Sequence, residues 1–439
     1  MHTVTQQSEW GTFKDSLKAP IHRWFTYPAG FSYKAVENSI LKAGLHKGDT
    51  IYDPFMGSGT TNIVAKELGI NSYGIEAHPF VFPITKCKMN WEIDYQTIQR
   101  SLKDIRDFIN CHVISFDEII KQNALEFPEL VLKCFLPETL YELYLIRECI
   151  KVLKIQDKEK LLLNVALICV LRKVSIAATG WPYIAPNKIK VTAFSKKGFE
   201  TYVDFVLMMC ADLQTKQFFI NDSSHHIYLG DSRCTEKLIE SESINHIFTS
   251  PPYLNNFDYA DRTRLEMYFM GDAKNWSDIC QIVRTKLITS ATTQINRADE
   301  KYKFTSDFIK DNPNECKFLM LAVQKLSELR LTKGGRKSYD LLTIGYFNDL
   351  YQILKDNFRV LQPNSTAKYI LGDSAPYGVH IPTDELGKMA FKMLFDRVNG
   401  GHRMPLKTFL PYYIAKRDSC CPINRDHRLF STLRQQASH

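Results

Sequence analysis

The sequence predicts an α/β fold built around a parallel sheet. Two separate stretches, residues 50–80 and 225–253, each have the pattern of a strand, a connection and a second strand, with Gly or Pro at the strand ends. Parallel strands need crossover connections, which place their carboxyl ends at one edge of the sheet. Because ligands bind at that edge, the residues that follow these strands are expected to face a common crevice.

Composition is typical of a globular protein. The 439 residues are 44% hydrophobic and 24% charged. No apolar run approaches the roughly 18 residues of a membrane span, and the polar N-terminus lacks a signal sequence. The net charge of +8 favours a polyanionic partner only slightly, and the 11 cysteines show no CxxC spacing. We therefore expect a soluble, cytoplasmic protein with neither a metal site nor a membrane association.

The first strand pair encloses a glycine-rich turn, within the stretch TIYDPFMGSGTTNIVAKELGINSYGIE. Gly57 and Gly59 allow the backbone to turn sharply and to approach a ligand closely. Thr60 and Thr61 are placed to cap the helix that follows. A Gly-Ser-Gly sequence also occurs in plain surface turns, so its meaning depends on the residues at the strand ends.

Two carboxylates, Asp53 and Glu76, end the two strands of this pair. A phosphate-binding loop would need a Lys after Gly59, and a dinucleotide fingerprint would need a third Gly where Asn62 stands. An acid at the tip of the second strand suits a ribose diol, and the acid of the first strand suits an ammonium group. A ligand that carries both groups and no phosphate is S-adenosylmethionine.

The second strand pair, within HHIYLGDSRCTEKLIESESINHIFTSPPY, ends in a proline-rich turn. Strands are predicted at 227–229 and 244–249, with a short helix at 235–239 between them. Asp231 follows the first strand. The prolines of the Ser250–Tyr253 turn end the second strand because they cannot continue a ladder. Alone, Ser-Pro-Pro-Tyr is also a common turn tetrapeptide.

The proline turn suits the chemistry of an exocyclic amine on a nucleobase. Such an amine is a poor nucleophile because its lone pair is delocalised into the ring. The Ser250 hydroxyl and the Pro251 carbonyl are acceptors for its two N–H groups, and Pro252 helps to keep them rigid. Tyr253 offers a flat face for an extruded base. No general base is required, since the attacked nitrogen becomes cationic and then loses its proton.

These motifs resemble those of the amino-methylating DNA methyltransferases, the N4-cytosine and N6-adenine group of bacterial modification enzymes. DPFMGSGTT with Glu76 looks like the cofactor loop and ribose acid, and TSPPY like the catalytic tetrapeptide. WFTYPAGFS is similar to the segment that packs Phe31 near the methionine end of the cofactor, and YLGDS to the strand end whose Asp231 meets the adenine ring. The resemblance implies S-adenosylmethionine binding by Phe31, Asp53, Phe55, Gly57, Gly59, Thr60, Glu76 and Asp231, and catalysis by Ser250, Pro251, Pro252 and Tyr253.

The same resemblance implies a Rossmann-like S-adenosylmethionine-dependent methyltransferase sheet with a large helical insertion and a second smaller insertion. The catalytic domain is expected to be discontinuous, over residues 24–90, 225–260 and 341–418. Residues 91–224 are predicted to be mostly helical, with a buried helix in KLLLNVALICVLRKVSIAA. One insertion is expected to read the target sequence, and residues 261–340 are the candidate target-recognition region.

Candidate DNA contacts lie in these insertions: Trp181, Tyr183, Lys188, Arg262, Lys333 and Arg336. A Trp-Pro-Tyr loop flanked by lysines suits wedging beside a flipped base, but it equally suits packing in the core. Asp258, together with Arg262 or Arg264, is expected to order the loop behind the proline turn. The basic turn at Lys333 and Arg336 suits phosphates, although charge runs of this size are commonly solvated surface.

The implied activity is site-specific methylation of double-stranded DNA on the exocyclic amine of a flipped base. Ser at position 250 favours N4 of cytosine, and N6 of adenine stays open because Ser and Asp oxygens accept the same hydrogen bond. C5 methylation is not expected, since the chain has no Pro-Cys dipeptide. The alternatives are an RNA amino-methyltransferase and a non-catalytic nucleic-acid-binding protein. A separately encoded cognate restriction endonuclease is a candidate partner.

Overall fold

A computed structural model describes residues 11–381, except 28–29, 180–183, 191, 193–195, 220, 300 and 373. The strands are β1 (Thr50–Asp53), β2 (Asn71–Glu76), β3 (Ala177–Thr179), β4 (Ile184–Ile189), β5 (His225–Leu229), β6 (Ile244–Thr249) and β7 (Leu361–Tyr369). In the described part of the chain, five of them form the central sheet, in the order β5-β2-β1-β6-β7, and every neighbouring pair is parallel. This is the Rossmann-like α/β fold that the sequence predicted.

Helices surround this sheet and fill the two long stretches between its strands. They are α1 (Tyr33–Ala43), α2 (Thr60–Leu68), α3 (Val81–Met89), α4 (Tyr95–Cys111), α5 (Phe116–Glu126), α6 (Glu129–Leu132), α7 (Pro137–Val152), α8 (Asp157–Val174), α9 (Gly198–Lys216), α10 (Tyr259–Arg262), α11 (Arg264–Met270), α12 (Trp276–Ile279), α13 (Ser306–Asp311), α14 (Pro313–Thr332) and α15 (Tyr339–Val360). A π-helical turn, Cys280–Arg284, continues α12. Among the described residues, no helix combines the length and the apolar character needed to cross a membrane.

β1 lies at the centre of the sheet, between β2 and β6. Tyr52 is in register with Tyr73 on one side and with Ile247 on the other. Ile51 and Tyr52 are completely buried, as expected for a parallel strand covered on both faces. The carboxyl ends of the five parallel strands lie at one edge, and this edge carries the glycine turn and the proline turn.

The connection between β5 and β6 differs from the prediction. Residues 235–239 form a single hydrogen-bonded turn, in which the backbone N–H groups of Leu238 and Ile239 both donate to the Thr235 carbonyl. The Thr235 hydroxyl donates to Asp356 on α15 and also accepts from Arg359. The predicted helix was wrong because one turn is too short to be stable alone, and tertiary contacts fix Thr235 instead.

The long stretch between β2 and β5 is mostly helical, as predicted. It contains α3 to α9 and the antiparallel hairpin β3–β4. The predicted buried helix is α8, with Leu163 and Val170 fully buried. These side chains belong to the same apolar cluster as Ile63 of α2 and Ile84 of α3, and the partly buried Ile227 of β5 packs against it. The helical stretch therefore shares a core with α2 and α3, which contact the sheet.

The second long stretch, between β6 and β7, ends in the helix pair α14 and α15. Leu319 and Phe347 lie in the core between these helices, and Leu254, which follows the proline turn, joins the same cluster. The proposed domain boundaries stay a prediction. The last part of the predicted catalytic domain, residues 382–418, lies outside the described residues.

Candidate active site

An open cavity lies at the carboxyl edge of the sheet, with about 850 Å³ of space when the open solvent at its mouth is included. The cavity brings together most of the predicted residues of both turns. Its lining includes Phe31, Phe55, Gly57, Thr60, Glu76, Asp231, Ser250 and Pro252.

The glycine turn is held in place by the helices behind it. Gly57 and Gly59 have φ of 53° and 83°, values that favour Gly. Gly59 does not line the cavity; a Cβ there would lie 2.6 Å from the Thr85 methyl carbon. The Thr85 hydroxyl donates to the Gly57 carbonyl at 2.6 Å, and the buried Lys88 Nζ donates to the Ser58 carbonyl at 3.0 Å. Burial lowers the pKa of Lys88 to about 7.

Glu76 joins β2 to the glycine turn and faces the cavity. Its Oε2 accepts from the Gly57 N–H at 2.7 Å, and its Oε1 accepts from the His78 N–H at 2.8 Å. Burial raises the pKa of this carboxyl to about 7, despite these two hydrogen bonds. Each oxygen has further lone-pair capacity, which a donor within the cavity can use.

Asp53 does not line the cavity, contrary to the prediction that it contacts a ligand ammonium group. It is completely buried, and its Oδ1 accepts from the Thr249 hydroxyl at 2.6 Å and from the Phe55 N–H at 3.0 Å. Its Oδ2 accepts from the Thr61 hydroxyl at 2.8 Å. Burial raises its pKa to about 6. Asp53 thus joins the ends of β1 and β6 beneath the site.

Asp231 lies at the cavity wall after β5 and is ion-paired. Both of its oxygens accept from the Arg233 guanidinium, with Nη2 at 2.7 Å from Oδ2. Arg233 also donates to Asp349 on α15 at 2.8 Å. The sequence predicted Asp231 but not Arg233, because nothing near it in the chain marks Asp349 as its partner.

In the proline turn, Ser250 presents acceptor lone pairs to the cavity. Its hydroxyl donates to the Ile370 carbonyl at 3.1 Å, just beyond β7. The Tyr253 hydroxyl lies 3.1 Å from the same Oγ. Since its proton is directed to Ile370, Ser250 meets a ligand in the cavity as an acceptor.

The remaining residues of the turn lie partly as expected. The Pro252 carbonyl accepts from the Tyr346 hydroxyl on α15 at 2.8 Å, a contact that the sequence did not reveal. Pro251 does not line the cavity, and its carbonyl accepts no hydrogen bond from the described residues. Tyr253 does not line the cavity either. Its ring is buried close to Gly372, so it does not offer the cavity the flat face that was predicted.

A further part of the cavity wall comes from Lys286, Leu287, Ile288 and Ser290, within the second insertion. The Ser290 hydroxyl donates to the Phe257 carbonyl at 3.3 Å. The Arg284 guanidinium donates to Asp258, so Arg284 takes the loop-ordering role expected of Arg262 or Arg264. The sequence did not predict this wall, because the segment has no motif of its own.

The chain is similar in sequence to known DNA methylases. A family model for N6 and N4 methyltransferases, described as DNA methylase, matches residues 5–86, which include the glycine turn and Glu76. The type II methyltransferase M.BsoBI of Geobacillus stearothermophilus is 26% identical over 409 residues, or 85% of this chain and 78% of the relative. These matches support the family whose motifs the sequence resembles, the amino-methylating DNA methyltransferases.

Further relatives of this methyltransferase cover similar lengths. The type II methyltransferase M.AvaI of Anabaena variabilis is 24% identical over 396 residues, or 85% of this chain and 78% of the relative. The type II methyltransferase M.MvaI of Kocuria varians is 23% identical over 404 residues, or 87% of this chain and 83% of the relative. No solved structure matches the chain significantly.

The candidate DNA contacts of the methyltransferase occupy different environments. Lys188, Lys333 and Arg336 are exposed, and Trp181 and Tyr183 lie outside the described residues. Arg262 is buried, where its Nη1 lies 3.2 Å from Glu266 and its Nη2 donates to the Thr26 carbonyl. The prediction for Arg262 is corrected, since a guanidinium bound internally is not presented to a phosphate.

Proposed function

We propose that this methyltransferase transfers a methyl group from S-adenosylmethionine to N4 of a cytosine flipped out of double-stranded DNA. The observation that carries the proposal is the shared cavity, which Ser250 lines together with Gly57 and Glu76. A methyl donor and an amine must lie in line for the transfer, and two turns at adjacent strand ends suit that arrangement.

The residues around the glycine turn fit the cofactor. The Glu76 carboxylate can accept further hydrogen bonds from a ribose diol. Gly57 has no side chain, so a ligand in the cavity can approach its backbone closely. Phe31, Phe55 and Thr60 would complete the seat, with Asp231 toward the adenine ring. Asp53 would act only by fixing the strand ends. When bound, the cofactor supplies a methyl group activated by a sulfonium sulfur.

Ser250 would prepare the amine for attack. Its Oγ accepts one N–H of the base, because its own proton is directed to the Ile370 carbonyl. We propose that the Pro251 carbonyl accepts the other; Pro251 itself does not line the cavity, but it lies between Ser250 and Pro252, which do, and its carbonyl has no partner among the described residues. These two bonds favour a pyramidal nitrogen whose lone pair leaves the ring system and points at the methyl carbon.

The reaction then needs no protein base. When bound, S-adenosylmethionine would supply the methyl group and leave as a neutral thioether that keeps the electron pair of the C–S bond, so that the nitrogen lone pair would form the new N–C bond. The nitrogen becomes cationic and releases one proton to water. Tyr346 contributes by holding the Pro252 carbonyl, so that the turn keeps its shape as the charge develops.

The choice of base rests on Ser250, because in the family that the sequence resembles, Ser at this position is more often associated with N4-cytosine methylation. N6-adenine is the second candidate, because the same acceptors suit its amine. An RNA amino-methyltransferase is the third candidate function. Double-stranded DNA is favoured over RNA as the substrate because the similar proteins are DNA methylases. A cognate endonuclease stays a proposal carried by the type II names of the relatives.

The test is transfer of a tritiated methyl group from S-adenosylmethionine to unmethylated phage DNA, with bulk tRNA as the alternative substrate. Digestion to nucleosides is expected to yield labelled N4-methylcytosine. Ser250→Ala should lower kcat about 100-fold, since an acceptor is lost at the reacting nitrogen. Ser243→Ala, at an exposed hydroxyl bound to the Glu240 carbonyl, is the matched control and should behave as wild type.

Each other outcome redirects the assignment. Labelled N6-methyladenine would replace cytosine by adenine as the target. Labelled tRNA without labelled DNA would favour the RNA enzyme. A Ser250→Ala variant as active as Ser243→Ala would remove Ser250 from the catalytic role.

A further inference from the structure

The cavity carries a positive charge that the proposed reaction does not use. Among the described residues that line it, Lys286 is the one cation, and it faces the same space as Glu76 and Asp231. Lys286 is exposed and forms no ion pair with a described carboxylate. A lysine at the mouth of a cavity with acidic walls is available to an anion that approaches from solvent.

The backbone around Lys286 is fixed from several directions. Its N–H donates to the Val283 carbonyl at 2.9 Å. The Thr289 N–H donates to Asp349 Oδ2 at 2.8 Å, and Ser290 is bound to the loop behind the proline turn. The backbone that carries Lys286 is therefore held in place, whereas its flexible side chain extends into solvent and can contact an anion there.

These contacts also locate the segment relative to the two ligands. Thr289 binds Asp349, which binds Arg233, and Arg233 binds Asp231, so Thr289 is tied to the predicted adenine end of the cofactor site. The next residue, Ser290, is tied to the loop that follows Ser250 through the Phe257 carbonyl. Phe31, expected at the methionine end, belongs to the segment before α1 and packs on Phe248. Lys286 is thus tied to the adenine and substrate sides rather than to the cofactor carboxylate.

We infer that Lys286 binds a backbone phosphate next to the extruded nucleotide. The inference rests on the proposed function, because only a flipped nucleotide brings its flanking phosphates to the cavity mouth. The acidic residues of the wall oppose an approaching polyanion, and a lysine there offsets that repulsion. Its compact charge on a flexible stem suits a single phosphate oxygen.

The test compares Lys286→Met with Lys47→Met. Lys47 is an exposed lysine just before β1, at the opposite end of the sheet, and is the matched control. The substrate is a synthetic duplex that carries the site mapped by methylation of phage DNA. Lys286→Met should raise the KM for DNA about tenfold and reduce the slope of log affinity against log salt by about one. Its kcat and its Kd for S-adenosylmethionine should match wild type.

A modified substrate separates a phosphate contact from a general effect. A methylphosphonate, which removes the charge, replaces one or the other of the two phosphates that flank the target nucleotide. At one position it should weaken DNA binding by the wild-type enzyme about as much as Lys286→Met does. It should not weaken DNA binding by the Lys286→Met variant any further. Lys47→Met should respond to it as wild type does.

The other outcomes overturn the inference in distinguishable ways. The phosphate contact would be rejected if the methylphosphonate and Lys286→Met weakened DNA binding additively at both positions, or if Lys286→Met and Lys47→Met had the same KM for DNA. Methylation of DNA by the wild-type enzyme would still support the proposed function. A weaker Kd for S-adenosylmethionine without DNA would make Lys286 a cofactor residue instead. Failure of the wild-type enzyme to methylate any DNA would reject both the function and the inference.

Discussion

Glu76 serves the glycine turn and the cavity at the same time. Its carboxylate accepts hydrogen bonds from the Gly57 and His78 N–H groups and so holds the shape of the turn. The same carboxylate lines the proposed binding site. Burial gives this carboxyl a pKa of about 7, which places its titration in the physiological range. At the scale of single residues, the strength of cofactor binding should therefore depend on pH.

We expect the affinity for S-adenosylmethionine to increase as pH rises through about 7. A pKa raised above the ordinary value means that the free protein holds a proton on Glu76 below about 7, whereas two ribose hydroxyls are best accepted by the carboxylate. One pH unit below that value, the affinity should be about tenfold lower. Calorimetric titration across pH measures it. Glu76→Gln should bind about 10- to 100-fold more weakly with a flat profile, and an unchanged slope in that variant would assign the dependence to another group.

Tyr346 is expected to support the proline turn. Tyr346→Phe removes a 2.8 Å hydrogen bond and leaves the Pro252 carbonyl without that donor. We expect kcat to fall about tenfold, a loss of roughly one hydrogen bond, while the Kd for S-adenosylmethionine stays the same. Tyr351→Phe is the control, because it lies on the same helix and loses a hydrogen bond to Asp311, away from the cavity. Equal kcat values for the two variants would contradict a positioning role.

At the scale of elements, the glycine turn depends on the packing of α2 against α3. Gly59→Ala puts a side chain at φ 83° and brings its Cβ to 2.6 Å from Thr85, whose hydroxyl holds the Gly57 carbonyl. We expect a loss of about 2 to 3 kcal/mol in the free energy of unfolding and weakened cofactor binding. Denaturant titration and calorimetry measure the two effects.

Gly44 offers a matched control for that substitution. It ends α1 at φ 68° and has no atom within 4 Å of a built Cβ, so Gly44→Ala carries the backbone strain without the clash. This variant should lose about 1 kcal/mol and keep wild-type cofactor affinity. Similar cofactor affinities in the two variants would show that Thr85 moves without disturbing the turn.

At the scale of the whole molecule, Asp212 ties the large helical stretch to the segment before α1. This buried carboxylate on α9 accepts from the Ile21 N–H at 3.0 Å, from the Trp24 indole N–H at 2.9 Å and from the Arg23 guanidinium. The apolar cluster between α4 and α9 also includes Trp24 and residues beside the sheet. The helices between β2 and β5 are thus part of the structure that supports the site.

We expect Asp212→Ala to lower the free energy of unfolding by about 3 kcal/mol, because it strands several buried donors. The unfolding transition should shift as one unit, since the helices between β2 and β5 share a core with α2 and α3, which contact the sheet. Asp222→Ala, at a highly exposed ion pair with Lys47, should cause no measurable change. Thermal unfolding followed by circular dichroism and by tryptophan fluorescence checks this, and two separate transitions would contradict the shared core.

Local patterns were sufficient for the parallel strands, the two turns and the buried helix α8. Each depends on neighbours in the chain, such as the alternation of apolar residues or the Gly and Pro residues that end an element. The short helix at 235–239 failed because Asp356 and Arg359, more than a hundred positions away, determine the conformation of Thr235. Lys286 and Tyr346 belong to no motif, so only their packing brings them to the site.

The sequence by itself determined which chemical groups stand at the carboxyl edge of the sheet, because strand ends and turns are encoded over a few adjacent residues. The tertiary structure alone decided what those groups are free to do. The oxygens of Asp53 accept from Thr249, Thr61 and Phe55, whereas Ser250 donates its proton to Ile370, lies beside the Tyr253 hydroxyl and keeps one lone pair for a ligand. The physical reason is that a polar group has a limited number of hydrogen bonds to make, and partners distant in the chain determine how many remain.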